Sequence, residues 1–172
     1  MRNSYSPPRS TAYAEHGMAC TSHPAASMTA IDILRAGGNA MDAAVAAAAT
    51  LAVVEPMSTG VGGDVFCLYA PNGTSNVIAY NGSGRAPGAA NAEWFLENGI
   101  TSFGTESPHA VTVPGTIDAW CRLVEDHGNM EIGEVLRPAI HHAAEGYTIA
   151  PVVHESWVDA EARLSRDANA KN

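Results

Sequence analysis

The sequence predicts an α+β fold that is rich in helix and built in layers, and three observations predict it. Helical patterns occupy most of the chain on both sides of one predicted β-hairpin. The first strand of that hairpin, residues 65–70, is apolar at every position, which is typical of a strand covered on both faces. Residues 43–54 contain no charge, and a helix that is apolar all round must be enclosed by its neighbours.

The first predicted helix covers residues 24–36. Proline suits the first turn of a helix, and Ser22 or His23 stands where the N-cap is expected. Two glycines at 37–38 end the helix, because glycine adopts the left-handed conformation at low cost. Apolar spacing also predicts its buried face. The residues of that face are Met28, Ile31 and Leu34.

A second helix is predicted to begin after Asn39, whose side chain suits an N-cap. Asp42 follows three residues later, where its charge favours the positive end of the helix dipole. The uncharged run 43–54 forms the body of this helix, and its alanines allow close approach by neighbouring elements. Pro56 ends it.

The hairpin follows a glycine-rich turn at residues 58–64. Its strands are predicted at 65–70 and 76–80, and the Pro-Asn-Gly sequence at 71–73 joins them. Further elements are predicted in order along the rest of the chain. They are a loop at 81–90, a helix at 92–97, a strand at 110–113, and helices at 116–127, 132–145 and 151–166.

The ends of the chain suggest how much of a domain it holds. Residues 1–14 are expected to form a flexible arm, and residues 15–172 a partial domain. Only two or three strands are predicted, and a lone hairpin is marginal without more sheet around it. The fully apolar helix also needs covering layers. Together these features predict a fragment that is truncated at its C-terminus.

Composition excludes several classes of function. The 172 residues carry a formal net charge of −9, so no basic surface for nucleic acid or an anionic membrane is expected. Three widely spaced cysteines, Cys20, Cys67 and Cys121, form neither a disulfide framework nor a zinc pattern. No apolar run resembling a secretory signal opens the chain. A cytoplasmic location is therefore expected.

Six stretches, in order along the chain, resemble the γ-glutamyltranspeptidase family of N-terminal-nucleophile hydrolases. Six ordered blocks are far more specific than one short motif. They cover nearly the whole chain from Gly17 onward. The stretches are GMACTSHPAAS (17–27), ILRAGGNAMDAAVAAAATLAVVEP (33–56), STGVGGDVFCLY (58–69), RAPGAA (85–90), VTVPGTIDAW (111–120) and LRPAIHHAAEGYTIAP (136–151).

The resemblance implies a four-layer αββα sandwich and a proenzyme that cleaves itself into a large and a small subunit. The N-terminal threonine of the small subunit attacks a γ-glutamyl amide such as glutathione, with its own amino group as the base. Water or an acceptor amine then resolves the acyl-enzyme. No metal or organic cofactor is implied. This chain resembles the early large subunit, so it is expected to hold no catalytic residue and to be inactive alone.

The family's large subunit supplies an arginine that binds the substrate carboxylate, in a pattern similar to GREXAP. Aligned on Ala86-Pro87, that arginine falls on Ser83, and Arg85 stands two positions later. Arg85 and Ser83 are therefore the predicted substrate-binding residues, with Arg85 able to form a bidentate pair with a carboxylate. The displacement weakens γ-glutamyl specificity more than it weakens amidohydrolase chemistry.

Four other patterns have simpler explanations. The glycine-rich run 60–64 lacks the lysine of a phosphate-binding loop and precedes a strand, so a tight turn is predicted. His141 and Glu145 have the spacing of metal ligands but lack a third partner, which favours a surface pair. Cys20, at an expected strand start, is predicted to be a buried, inert thiol. Thr116 follows a glycine as at a self-cleavage site, but its block matches a large-subunit turn and helix.

Two alternative functions stay open. One keeps the fold but changes the substrate to another N-acyl or dicarboxylic amide, and the serine at position 83 motivates it. The other is an inactive, truncated product that acts only as a scaffold. A threonine or serine at a cleavage point downstream of Asn172 would separate an enzyme from a scaffold.

Overall fold

The structure, a computed structural model, describes residues 11–104 and 107–166. Every predicted helix is present in those ranges, together with a two-stranded sheet. The helices are α1 (Pro24–Arg35), α2 (Ala40–Val54), α3 (Ala92–Glu97), α4 (Thr116–His127), α5 (Ile132–Glu145) and α6 (Pro151–Leu164). The strands are β1 (Val65–Tyr69) and β2 (Ile78–Gly82). Of the predicted arm 1–14, residues 1–10 lie outside the described ranges, and residues 11–14 carry no helix or strand.

Helix α2 forms the centre of the core. It packs against α1, α5 and α4, and α4 in turn covers the hairpin. Among residues 43–54 every residue except Ala44 is buried or half-buried. The prediction of an enclosed apolar helix is therefore confirmed.

The start of α2 is fixed by a reciprocal cap, as the sequence predicts. The Asn39 side-chain oxygen accepts the N–H groups of Met41 (2.8 Å) and Asp42 (3.2 Å). The Asp42 carboxylate accepts the N–H of Asn39 at 2.8 Å. Each side chain thus satisfies a donor that a helix start otherwise leaves without an intrahelical partner.

Helix α1 is capped by His23, whose Nδ1 accepts the N–H of Ala25 at 3.1 Å. Its predicted buried face is wrong. Met28 is exposed, and both Ile31 and Leu34 are only half-buried. The buried residues are Ala26, Thr29, Ala30 and Ile33. Small residues let the α1 backbone approach the alanine-rich α2 closely, so the contact face follows small size rather than large apolar volume.

The hairpin is antiparallel, with Val65 opposite Gly82 and Tyr69 opposite Ile78. The second strand lies two residues later than predicted, because the connection contains a short 3₁₀ turn at Pro71–Gly73 with Asn72 at φ 52°. Burial along β1 alternates. Phe66 is 71% exposed and Leu68 78% exposed, so the prediction that both faces are covered is wrong for the part of the chain described.

The third predicted strand and the strand start expected at Cys20 are both absent from the described ranges. Residues 17–21 lie in no strand, and the stretch predicted as a strand at 110–113 instead follows a 3₁₀ turn at Pro108–Ala110. Its one backbone bond to the neighbouring loop runs from the N–H of Val113 to the carbonyl of Arg85, at 2.9 Å. A strand needs a ladder of such bonds along an adjacent strand. The observed class is thus helix-rich α+β with a small sheet, and no described helix is long and apolar enough to cross a membrane.

Candidate functional site

Three loops converge at the N-terminal end of α4. They are the glycine-rich turn that precedes β1, the segment 82–85 that follows β2, and the segment 112–115 that leads into α4. The carbonyl of Gly63 accepts the N–H groups of both Gly115 and Thr116 at 3.1 Å. The turn is therefore anchored to the start of the helix, as expected of a structural turn.

Asp64 joins the other two loops. One of its carboxylate oxygens accepts the N–H of Gly84 at 2.8 Å and the hydroxyl of Thr112 at 3.4 Å. A carboxylate bound by donors from two segments holds both in place, because charge-assisted hydrogen bonds are stronger than neutral ones. Asp64 is therefore the residue that positions the loop carrying Ser83 and Arg85.

Glycine is required where these loops pass each other. A Cβ atom added at Gly84 would collide with the carbonyl of Val113, and one added at Gly115 would collide with the carbonyl of Gly82. The backbones are too close for any side chain at these two positions. The close packing explains the glycines at positions 84 and 115.

The structure brings Ser83 and Arg85 to this junction on one loop. The N–H of Ser83 donates to the side-chain oxygen of Asn81 at 2.9 Å, and the carbonyl of Arg85 accepts from Val113. Both residues are exposed. Among the described residues the guanidinium of Arg85 forms no salt bridge. Its backbone is thus fixed while its charge is free to bind an anion.

Thr116 is the first residue of α4, and sequence reasoning assigned it no functional role. It is 2% exposed, and its hydroxyl has no hydrogen-bond partner in the described parts of the chain. A buried threonine at a helix start offers no accessible bond for self-cleavage. The Gly63 carbonyl caps the helix start in place of a side chain, and Asp118 stands in the first turn.

An apolar pocket of about 330 Å³ lies beside the junction and was also missed by sequence reasoning. Residues of the Arg85 loop and of the stretch before Thr112 form two of its walls. No periodic pattern marks such a pocket, because its walls come from loops and one short helix that are separated along the chain.

The remaining candidate sites are not supported. Cys20 is exposed, so the prediction of a buried thiol is wrong. It lies in an irregular segment that no strand covers. His141 and His142 have ring centroids 6.0 Å apart. The described residues contain no group of three or more His, Cys, Asp or Glu that could hold a metal ion.

Comparison with known proteins gives a consistent family. The family model described as Gamma-glutamyltranspeptidase matches residues 26–172. The chain is 36% identical to the glutathione hydrolase proenzyme of Bacillus subtilis (strain 168), over 88% of this chain and 27% of that protein. It is 37% identical to the acylase ACY 1 proenzyme of Pseudomonas sp. (strain V22), over 88% of this chain and 28% of that protein.

Among solved structures, the cephalosporin acylase of Bacillus halodurans superposes with a TM-score of 0.88 at 39% identity. The match covers 96% of this chain and 31% of that one. The chain therefore spans about a quarter of the length of the curated relatives it matches. The described helices and hairpin therefore superpose on one part of the N-terminal-nucleophile hydrolase fold of this relative.

Proposed function

Because the chain belongs to the γ-glutamyltranspeptidase family, we propose that it is the N-terminal part of the large subunit of an amidohydrolase that transfers or hydrolyses a γ-glutamyl group. One observation carries this proposal. Arg85 presents an exposed cation, without an ion-pair partner in the described residues, on a loop whose backbone is bonded to the segment that leads into α4. Such a site suits the carboxylate of a small acyl donor.

The charges around the junction support carboxylate binding. Arg85 is the only lysine or arginine between Arg35 and Arg122 in the sequence. Asp64, whose carboxylate holds this loop, already accepts two hydrogen bonds. The Arg85 cation is therefore available to an anion, in a chain that is acidic overall. Ser83 offers a hydroxyl on the same loop.

In this proposal the catalytic nucleophile lies on a second chain. We propose that the N-terminal threonine of a small subunit, cut from the same precursor, attacks the amide carbonyl, and that the C–N bond breaks and the amine leaves. Water or an acceptor amine then takes the acyl group and frees the threonine. In this account the residues of the present chain bind and orient the substrate, and none of them forms the acyl-enzyme. Alone the chain would be inactive. Glutathione is the proposed donor, and the proposed location is cytoplasmic.

The exposed face of the hairpin supports a larger sheet structure. Phe66 and Leu68 project from one face of β1 and are largely exposed. A β-sheet normally buries its apolar face against another layer. We therefore propose that further strands and a second sheet cover this face in the full-length protein, completing a four-layer αββα sandwich.

A second candidate function is an acylase of the same fold. Serine stands at position 83, where the family's carboxylate-binding arginine falls. A cation displaced by two residues suits a substrate whose carboxylate lies elsewhere relative to its amide. The acylase among the relatives is as similar to this chain as the glutathione hydrolase is, at 37% and 36% identity.

The two functions separate on paired chromogenic substrates. The full-length protein is assayed on γ-glutamyl-p-nitroanilide and on adipyl-p-nitroanilide, which lacks the α-amino group and carries its carboxylate one methylene further from the amide. The γ-glutamyl proposal predicts faster p-nitroaniline release from the first compound. Release from the second alone supports the acylase, and release from neither, in a self-cleaved protein, favours the inactive scaffold.

A further inference from the structure

The pocket beside the Arg85 loop has the size and lining of a small-molecule site. Its volume of about 330 Å³ lies within the range of ligand pockets. Pro87, Ala89 and Val111 line it together with Trp94 and Phe95 of α3. The lining is largely apolar, and the ring of His109 is the polar group that faces it.

Aromatic contacts give the pocket a defined shape. The ring of His109 lies 5.8 Å from that of Trp94 and 5.4 Å from that of Phe95, both in edge-to-face arrangements. Phe103 supports the cluster from behind, with its ring 4.9 Å from Phe95. Edge-to-face packing holds rings in fixed relative positions. The pocket wall is therefore built by mutual contacts among its own residues.

The backbone places Arg85 at the edge of this pocket. The carbonyl of Arg85 accepts the N–H of Val113 at 2.9 Å. Pro87, two residues after Arg85, and Val111, two residues before Val113, line the pocket. Two residues of extended chain span about 7 Å, and arginine carries its charge at the end of a long apolar stem. The guanidinium can therefore meet a carboxylate at the pocket mouth.

We propose that this pocket binds an apolar group of the substrate's acyl part while Arg85 pairs with a carboxylate of the same molecule. The inference rests on the proposed amidohydrolase function and extends it to monoamides of dicarboxylic acids that carry an aryl or alkyl group, since these keep one free carboxylate. Apolar walls exclude water from the bound group, and the cation at the rim selects a charged partner. A neutral apolar compound would lose the second contact.

The test uses 4-phenylbutanoate as the probe and isothermal titration calorimetry on the full-length protein. Two variants change the pocket in opposite ways: Trp94→Ala removes a wall, and Ala89→Trp fills the space. Trp157→Ala is the matched control, because Trp157 has nearly the same exposure as Trp94 (46% and 43%) but does not line the pocket. Arg85→Met removes the cation and keeps the stem.

The proposal predicts that both pocket variants and Arg85→Met raise the Kd of 4-phenylbutanoate by about tenfold. Trp157→Ala should leave the Kd unchanged. The neutral probe 4-phenylbutanamide should bind more weakly to the native protein and be insensitive to Arg85→Met. Circular dichroism of each variant checks folding, and Ala89→Trp alone suffices if Trp94→Ala misfolds.

The experiments distinguish an error in the pocket inference from an error in the proposed amidohydrolase function. An unchanged Kd in Ala89→Trp, or no binding by the native protein, would overturn the inference even if anilides are cleaved. The same outcome follows if another part of the full-length protein fills the pocket. Pocket-dependent binding without cleavage of any anilide would uphold the inference and overturn the proposed function.

Discussion

Asp42 shows how one side chain organises the helical core. It is fully buried, and its two carboxylate oxygens accept N–H groups from Asn39, Asn129 and Met130 at 2.8, 2.9 and 3.4 Å. The first of these bonds closes the cap of α2, and the other two fix the turn between α4 and α5. A Cβ atom at Gly128 would collide with the same carboxylate. Three helices therefore meet at this acid.

Replacing Asp42 with alanine is expected to lower the free energy of unfolding of the full-length protein by about 3 kcal/mol or more, because three N–H groups lose a fully buried acceptor. Urea denaturation measures the change. Asp32→Ala is the control, since Asp32 forms an exposed ion pair with Arg35 at 3.2 Å and should cost less than about 1 kcal/mol. Equal losses in the two variants would contradict the role given to Asp42.

The three cysteines differ in their surroundings. Cys20 and Cys121 are exposed, whereas Cys67 is half-buried in β1. Burial raises the pKa of the Cys67 thiol by disfavouring the thiolate. Because the folded protein holds this proton more tightly, the associated stabilisation is complete below the thiol's unfolded pKa and is lost as the pH rises through the higher folded value.

The expected consequence is slow alkylation of Cys67. Iodoacetamide reacts with the thiolate, so at pH 8 mass spectrometry of tryptic peptides should find Cys20 and Cys121 modified several-fold faster than Cys67. Raising the pH should narrow the gap. In urea all three should react at similar rates. Fastest labelling at Cys67 in the folded protein would show that this thiol is not shielded.

At the scale of elements, local signals predicted most helix ends. Proline, glycine and the pair Asn39 and Asp42 act within a few residues of the boundary they set, so the sequence carries that information. The buried face of α1 depends instead on its fit to α2, and large apolar residues such as Met28 misled the prediction. The stretch 110–113 has strand-like composition, but among the described residues it donates only one backbone hydrogen bond to the adjacent loop, from Val113 to Arg85.

The same distinction applies to the candidate site. Ser83 and Arg85 were found from the resemblance to a family, because their loop has a recognisable sequence. Asp64 reaches Thr112 across 48 positions of sequence, and no local pattern reports such a contact. The aromatic pocket was missed for the same reason.

At the scale of elements, the exposed face of β1 is expected to contribute to the stability of the full-length protein. Replacing both Phe66 and Leu68 with serine should destabilise the full-length protein by about 3 kcal/mol or more, if a second layer buries them. Ala79→Ser is the control, since Ala79 pairs with Leu68 across the hairpin and removes no large side chain. Thermal unfolding and urea titration give the values. A change as small as that of the control would mean that the face is exposed to water.

At the scale of the whole molecule, the described helices and hairpin form one part of a larger assembly in our account. Large apolar side chains are exposed on several elements, including Phe66 on β1, Leu96 on α3 and Ile140 on α5. Exposed apolar surface of this kind marks contact with other protein. The curated relatives are more than three times as long as this chain, so further layers have the material to cover it.

The measurement that tests the central claim most directly is the intact mass of the purified full-length protein before and after rapid mixing with its anilide substrate. The account predicts two chains from self-cleavage. The larger contains the present sequence, and the smaller begins with threonine and gains the mass of one acyl group. A single uncleaved chain without activity, or an acyl group attached to a residue of the larger chain, would contradict it.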